Sequence, residues 1–353
     1  MEGLRGLAVL LVFMQHYGVQ ALLAIDLAGA ALPAAQWMRN LGNLGVELFF
    51  ILSGFLIYGT LLRRRPGFAG FMRRRAQRIY PAFLCVFALA VAAHLALASG
   101  EIPADPAAAI GLLLANLLLL PGIMEVRPLL DVAWTLSWEM GFYLLLGLGV
   151  PALGMPAWPR ARRVAGILAA MACVTLACAL APGGAGPLSV PLPLIPLLAG
   201  MLLFEVSEVG FPPIPAAAAL IAGVAVLVAT QWLVPWPLLR EWFETLALWL
   251  VVLTGLRGGN VVAGALSGTA LRWLGNMSYS FYLLHGAVLV AVFRTLVGLV
   301  GGGWPSWTFW ALLVPVFARG WLASPALFVA VERPVSLLPR GRAARALTPS
   351  AGS

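Results

Sequence analysis

The sequence predicts an all-α integral membrane protein of about ten transmembrane helices plus a re-entrant segment, with both termini cytoplasmic. Three observations predict it. Of 353 residues, 62% are hydrophobic and only 10% charged, whereas a soluble domain carries charge on roughly a quarter of its residues. Mean hydropathy is +0.96, and apolar runs able to cross a hydrocarbon core of about 30 Å recur from end to end. All 22 basic residues are arginines, clustered in short segments between those runs, the pattern of loops retained on the cytoplasmic side. The net charge of +9 therefore reports topology and not a nucleic-acid partner. No composition shift marks a soluble domain. Residues 1–338 read as one membrane domain and 339–353 as a short, basic, disordered cytoplasmic tail.

The first run is Leu4–Ala24. Its central Gln15, His16 and Tyr17 are too polar for the core of a cleaved signal peptide, so it reads as a span. The second, Leu41–Leu62, leads into Arg63, Arg64, Arg65, Arg73, Arg74, Arg75 and Arg78, expected together in one short loop. That loop is held inside, which places the N-terminus inside too. Ile79–Ala98 returns outward to Glu101 and Asp105. Pro106–Pro121 is short for a full crossing and reads as the re-entrant segment. With it not crossing, Trp134–Pro156 brings Arg160, Arg162 and Arg163 inside. The later spans are Val164–Ala181, Leu192–Val209, Ala216–Val234, Phe243–Leu256, Met277–Gly298 and Trp307–Val331. Arg319 falls within the last of them. Cys85, Cys173 and Cys178 lie inside apolar runs without paired metal-ligand spacing and read as buried, inert thiols.

Polar groups within spans are costly and mark function by default. Arg5 and His16 are eleven residues apart, three helical turns, so they share a face at roughly 16 Å separation. Glu47 follows Asn43 into the second span, with Ser53 deeper. Thr135, Ser137 and Glu139 open the fourth span, with Tyr143 one turn on. Ser278, Tyr282 and His285 fall on one face of the ninth. Depth places His16 and His285 near the midplane and Glu139 near the outer end of its span. Together they are expected to line one cavity, with the arginine loop at its inner mouth. His94 has no polar companion and reads as a helix-to-helix hydrogen bonder. By pattern alone a second function competes: a multi-span transporter or flippase for a lipid-linked or acylated substrate. It would also give Arg319 a role. Inverted internal repeats would favour it, and none is visible.

At these residues the sequence resembles the acyltransferase-3 family of membrane-bound O-acyltransferases. Leu4-Arg5-Gly6-Leu7-Ala8 leading to His16 is similar to the family's opening motif, a basic residue and a histidine with ten residues between. Phe49-Phe50-Ile51-Leu52-Ser53-Gly54-Phe55-Leu56-Ile57 resembles its second-span signature. Arg75-Ala76-Gln77-Arg78-Ile79-Tyr80-Pro81 matches the arginine pair before the third span. Trp134-Thr135-Leu136-Ser137-Trp138-Glu139 with Phe142-Tyr143 matches the tryptophan-to-glutamate segment. Ser278-Tyr279 with Tyr282 and His285 matches the late serine–tyrosine motif, and Glu332-Arg333-Pro334 the closing one. Each motif alone is weak; six in order cover nearly the whole chain.

The resemblance implies transfer of an acyl group, acetyl in the first instance, from acyl-CoA to a hydroxyl of a sugar, another glycoconjugate or a secondary metabolite, in the bacterial inner membrane among its lipids. Acyl-CoA is a donor substrate, and no tightly bound cofactor or metal is implied. Arg75 and Arg78, then Arg73 and Arg74, are expected on the CoA phosphates, which arginine matches by charge and bidentate hydrogen bonding. His16 is the expected general base, with Glu139 orienting it or binding the acceptor. Arg5, Ser278, Tyr279, Tyr282 and His285 are oxyanion or acceptor candidates. Whether His16 acts only as a base or first becomes acylated stays open.

Overall fold

The computed structural model describes residues 1–97, 99–180, 192–210, 215–234 and 236–337, and these are almost wholly helical. In chain order the helices are α1 (Glu2–Ala24), α2 (Ala31–Arg64), α3 (Phe68–Ala96), α4 (Pro106–Leu117), α5 (Ala133–Ala152), α6 (Arg160–Leu180) and α7 (Leu194–Glu208). They continue with α8 (Ala216–Leu233), α9 (Pro237–Arg257), α10 (Val261–Leu266), α11 (Thr269–Asn276), α12 (Ser278–Val300), α13 (Trp307–Leu327) and α14 (Arg333–Leu337). The chain is an all-α, multi-span membrane protein. Six helical segments among the described residues are long and apolar enough to cross a membrane: α1, α2, α3, α6, α12 and the segment from Trp307 to Val335. Helices α5, α7, α8 and α9 occupy the other four predicted runs. The polar tail predicted for 339–353 lies outside the described residues.

Several boundaries differ from expectation, each for a local reason. The arginine cluster is not a loop. Helix α2 ends with Arg65 in a left-handed conformation at φ 44°, and Pro66, which cannot continue a helix, follows with Gly67. Helix α3 starts at once, at Phe68. Arginine is a good helix former, so Arg73, Arg74, Arg75 and Arg78 lie in its first turns and acquire a helical periodicity. Helix α9 begins at Pro237, not near Phe243, and is 21 residues long. Arg240 and Glu244 form an i,i+4 pair at 3.0 Å and carry polar residues into a helix whose apolar run looked short. Helix α4 has 12 residues, about 18 Å, in keeping with a segment that does not cross. Proline stands at its N1 position, and Asp105 caps it by accepting from the Ala108 N–H at 2.8 Å. Cys85 and Cys173 are exposed and Cys178 is half-buried, so the expected burial is corrected: in a membrane chain, an apolar run does not distinguish a core-facing from a lipid-facing side.

Helices α1 and α2 pack along most of their lengths at the centre of the bundle, and α7 crosses α2. Two glycine contacts permit this and flank residues named above. A Cβ on Gly6 would stand 2.1 Å from the Leu271 carbonyl oxygen on α11. The bare backbone lets α1 seat against α11 and sets the depth of Arg5. A Cβ on Gly54 would stand 1.9 Å from the Leu197 oxygen, so Gly54 brings α7 against α2 beside Ser53. Small residues at helix contacts are how membrane helices gain close packing. At one end of the bundle, Ile25–Asp26 pairs in parallel with Trp304–Pro305. There Ser306 accepts from the Ala28 N–H and donates to the Asp26 carbonyl. Tyr17 donates to the Phe309 carbonyl, tying α1 to α13.

Past Pro325, whose ring supplies no N–H to the ladder, the helix widens into a π turn over Phe328–Glu332. Such turns recur at functional sites. This one carries Glu332 inward, where it is buried and accepts from Ser280 Oγ at 2.6 Å.

Candidate active site

A cavity of about 100 Å³ opens between α1, α2, α3, α5 and α12. Its polar lining comprises Arg5, Ser53, Arg75, Arg78, Thr135, Glu139, Tyr143, Ser278, Tyr279 and Tyr282. Aromatic and aliphatic residues, among them Phe49, Phe50, Leu52 and Leu56, complete it. Helical periodicity selects the arginines. Arg75 and Arg78, three apart, turn inward and are half-buried, whereas Arg73 and Arg74 are exposed and do not line the cavity.

The carboxylate of Glu139 is held on α5 by two donors. Ser53 Oγ donates to it at 2.7 Å, and so does the hydroxyl of Tyr143, one turn along the same helix. The Arg75 guanidinium lies 5.8 Å from the ring centroids of Phe71 and of Tyr143, within cation–π reach. Its Nε is buried with no hydrogen-bond partner. Among the described residues, Arg5, Arg75 and Arg78 form no ion pair with any carboxylate. Three cations and one carboxylate thus line a small, partly apolar space. Uncompensated charge in such a place is expensive, and an anionic ligand would relieve it. Tyr279, also in the lining, donates to the Ile79 carbonyl at 2.8 Å, which docks α12 on α3.

The histidines stand apart from this lining. His16 and His285 lie against each other, with Nε2 of His285 3.3 Å from Nδ1 of His16 and ring centroids 4.8 Å apart. Tyr282 neighbours both the cavity and His285. It lines the cavity, its ring centroid is 5.9 Å from that of His285, and its hydroxyl is 2.7 Å from Thr135 Oγ1. The expectation of one cavity holding histidines and arginines is therefore corrected: the arginines line the cavity, and the imidazole pair is not in its lining but adjoins one of its residues, Tyr282. A helix that is apolar all round leaves its rotation unreadable, and half a turn moves a side chain from one compartment to the next. His94 bonds to Ser99 and to the Leu129 carbonyl, a structural role as expected, although both partners lie in connecting segments and not in a neighbouring helix.

Two further polar clusters lie outside the motifs: the sequence reading named Glu47 as a polar group in a span but gave it no role, and it did not single out Glu205. Glu205 on α7 is fully buried and binds Arg163 bidentately, at 2.6 and 3.0 Å. It also accepts from the Tyr58 hydroxyl at 2.7 Å. Glu47 is buried on α2, and Glu241, Glu244 and Arg240 of α9 are its charged neighbours. The signal for both was present, since each carboxylate interrupts an apolar run, but neither joined a motif. Among the described residues no group of His, Cys, Asp and Glu could hold a metal ion.

The chain is 28% identical over 377 aligned residues to "Acyltransferase MdmB" of Streptomyces mycarofaciens, covering 97% of this chain and 92% of that protein. It is 32% identical over 322 residues to "Exopolysaccharide production protein ExoZ" of Rhizobium meliloti, covering 89% of this chain and 95% of that one. No solved structure matches. The family model described as an acyltransferase domain matches residues 1–323, and both halves of the site fall within that span. The chain belongs to the acyltransferase-3 family and is a membrane-bound acyltransferase.

Proposed function

We propose that the protein moves an acyl group, acetyl in the first instance, from acyl-CoA to a hydroxyl of a saccharide, other glycoconjugate or secondary metabolite in the bacterial inner membrane. The observation that carries the donor is the cavity that three arginines share with a single carboxylate, Glu139, none of the three forming an ion pair among the described residues. Phosphates and a thioester carbonyl are the anionic and polar groups that a CoA donor brings. In a ten-span arrangement with both termini cytoplasmic, α3 starts at the cytoplasmic face and its arginines meet a donor from that side. The cavity is small, so it takes the thioester end of the donor. The nucleotide end stays toward the exposed Arg73 and Arg74. The saccharide acceptor is supported by the printed description of the Rhizobium relative as an exopolysaccharide production protein.

His16 is the general base. It is half-buried, whereas His285 is fully buried, so His16 is the more accessible imidazole of the two. The acceptor hydroxyl gives its proton to His16 as its oxygen bonds to the thioester carbon. Arg5 and Ser278, on the cavity side, stabilise the oxyanion. Collapse of the tetrahedral intermediate breaks the carbon–sulfur bond, and the leaving thiolate takes the proton from the imidazolium. Glu139, held by Ser53 and Tyr143, orients the arginines and the acceptor. The thioester must pass Tyr282 to reach His16, so the Tyr282–Thr135 contact opens in the reactive complex.

The test is acetyl-CoA binding and turnover by the purified protein and its His16→Ala variant. Turnover lost with binding retained supports the reading. Turnover retained in folded His16→Ala overturns the base. Absence of binding of acetyl-CoA and longer acyl-CoAs by folded wild type overturns the donor.

A further inference from the structure

We infer that His285 is a positioning residue for His16, fixing its tautomer and accepting its second ring proton. This rests on His16 being the base. A carbonyl oxygen can only accept, so a ring nitrogen within hydrogen-bond distance of one carries the proton. Nδ1 of His285 lies 2.7 Å from the Tyr282 carbonyl and 3.2 Å from that of Phe281. Nδ1 of His16 lies 2.9 Å from the Val12 carbonyl. Both rings therefore carry hydrogen on Nδ1. A neutral imidazole has one N–H, so both Nε2 atoms present a lone pair.

The contact between the rings then has one direction. His16 Nδ1–H is shared between the Val12 oxygen and the lone pair of His285 Nε2, 3.3 Å away. The opposite assignment would set a lone pair against the Val12 and Tyr282 carbonyls. The interplanar angle of 82° brings the edge of one ring to the other. His285 is 1% exposed. Its ring lies parallel to that of Phe281, at 4° and 5.8 Å between centroids, and this stacking with the two carbonyls locks its plane. Among the described residues, His16 Nε2 has no protein partner. The only basic atom of the pair left open to an acceptor hydroxyl is therefore His16 Nε2.

The consequence for the reaction is specific. When His16 Nε2 takes the acceptor proton, the ring becomes an imidazolium whose Nδ1–H still points at a lone pair. His285 thus holds the place that a carboxylate holds behind histidine in other acyl-transfer sites, but as a neutral acceptor that adds no charge to the membrane interior. Its own protons do not move. The role differs from direct contact with the oxyanion or acceptor, because His285 acts only through His16.

The experiment compares His285→Gln and His285→Phe in the full chain, with acetyl-CoA as donor and His16→Ala alongside. The glutamine amide oxygen reaches the place of the ring's Nε2 and can accept. Phenylalanine keeps the volume and the stack on Phe281 but cannot accept. We expect His285→Phe to lower kcat about 10²-fold. KM for acetyl-CoA should stay within about threefold of wild type. His285→Gln should recover kcat to within about tenfold of wild type. A double His16→Ala, His285→Phe variant should be no slower than His16→Ala, because the two act as one unit. Wild-type kcat in His285→Phe overturns the inference. Equal loss in both His285 variants, with KM raised, also overturns it and makes the residue structural. The two failures are separable. An inactive His16→Ala with an active His285→Phe rejects only the positioning role, whereas an active His16→Ala rejects the base itself.

Discussion

Two sets of arginines reach into this membrane protein, and their surroundings are opposite. Arg163 meets Glu205 through two hydrogen bonds, and the carboxylate is completed by Tyr58. Arg160 also stands 3.9 Å from the same carboxylate, so both arginines there have an acid partner, and the group ties α6, α7 and α2 together. Arg75 and Arg78 enter a cavity shared with Arg5 and Glu139, and among the described residues none of the three arginines forms an ion pair. Arg75 has the ring faces of Phe71 and Tyr143 beside it and, among the described residues, a buried Nε without a hydrogen-bond partner. A satisfied buried pair holds helices in place. An unsatisfied set costs stability in the empty protein and recovers it when an anion arrives. The difference separates an architectural use of arginine from a ligand-binding one without reference to any motif.

Three changes would break or sharpen that contrast. The largest effect is expected from Glu205→Ala. Removing one partner of a buried pair leaves Arg163 uncompensated and costs about 3–5 kcal/mol. A clear fall in melting temperature in detergent is expected, and an unchanged melting curve would refute the architectural assignment. The double Arg75→Ala, Arg78→Ala variant should behave in the reverse way. KM for acetyl-CoA should rise at least about tenfold, since charge-assisted bonds of roughly 1.5–3 kcal/mol are lost. Melting temperature without ligand should hold or rise, and the stabilisation that acetyl-CoA gives the wild type should disappear. Equal donor stabilisation of variant and wild type would remove these residues from the donor site. The smallest effect is expected for Arg73→Ala, Arg74→Ala. Both side chains are exposed, and exposed pairs contribute about 0–1 kcal/mol. KM should rise less than about fivefold and should converge on wild type at high salt, where exposed charges are screened.

The helices of the predicted spans were legible as apolar runs, but their ends were not always so. The start of α3 was missed because clustered arginines look like a loop, although only Arg65, Pro66 and Gly67 separate α2 from α3. The length of α9 was missed because Arg240, Glu241 and Glu244 look too polar for a span until their partners on α2 and along α9 itself are seen. Within the site, Arg5, Arg75, Arg78, Glu139, Ser278, Tyr279 and Tyr282 were named from motifs, and all seven line one cavity. Ser53 and Tyr143 were visible as polar groups in spans, but not as the two donors that hold Glu139. Glu332 belonged to a motif without a role until the π turn brought it to Ser280.

By itself the sequence determined the solvent of this protein and its chemistry. Too few charged residues exist to face water, and six motifs in order carry the residue types of an acyltransferase. What only the tertiary structure decided is which of those residues meet. The rotation of a membrane helix cannot be read when lipid-facing and core-facing sides are equally apolar. A change of one position turns a side chain by about 100°. That rotation sets Arg75 and Arg78 inside while Arg73 and Arg74 stay outside. It also brings His16, on the first helix, within 3.3 Å of His285, a residue 269 positions away.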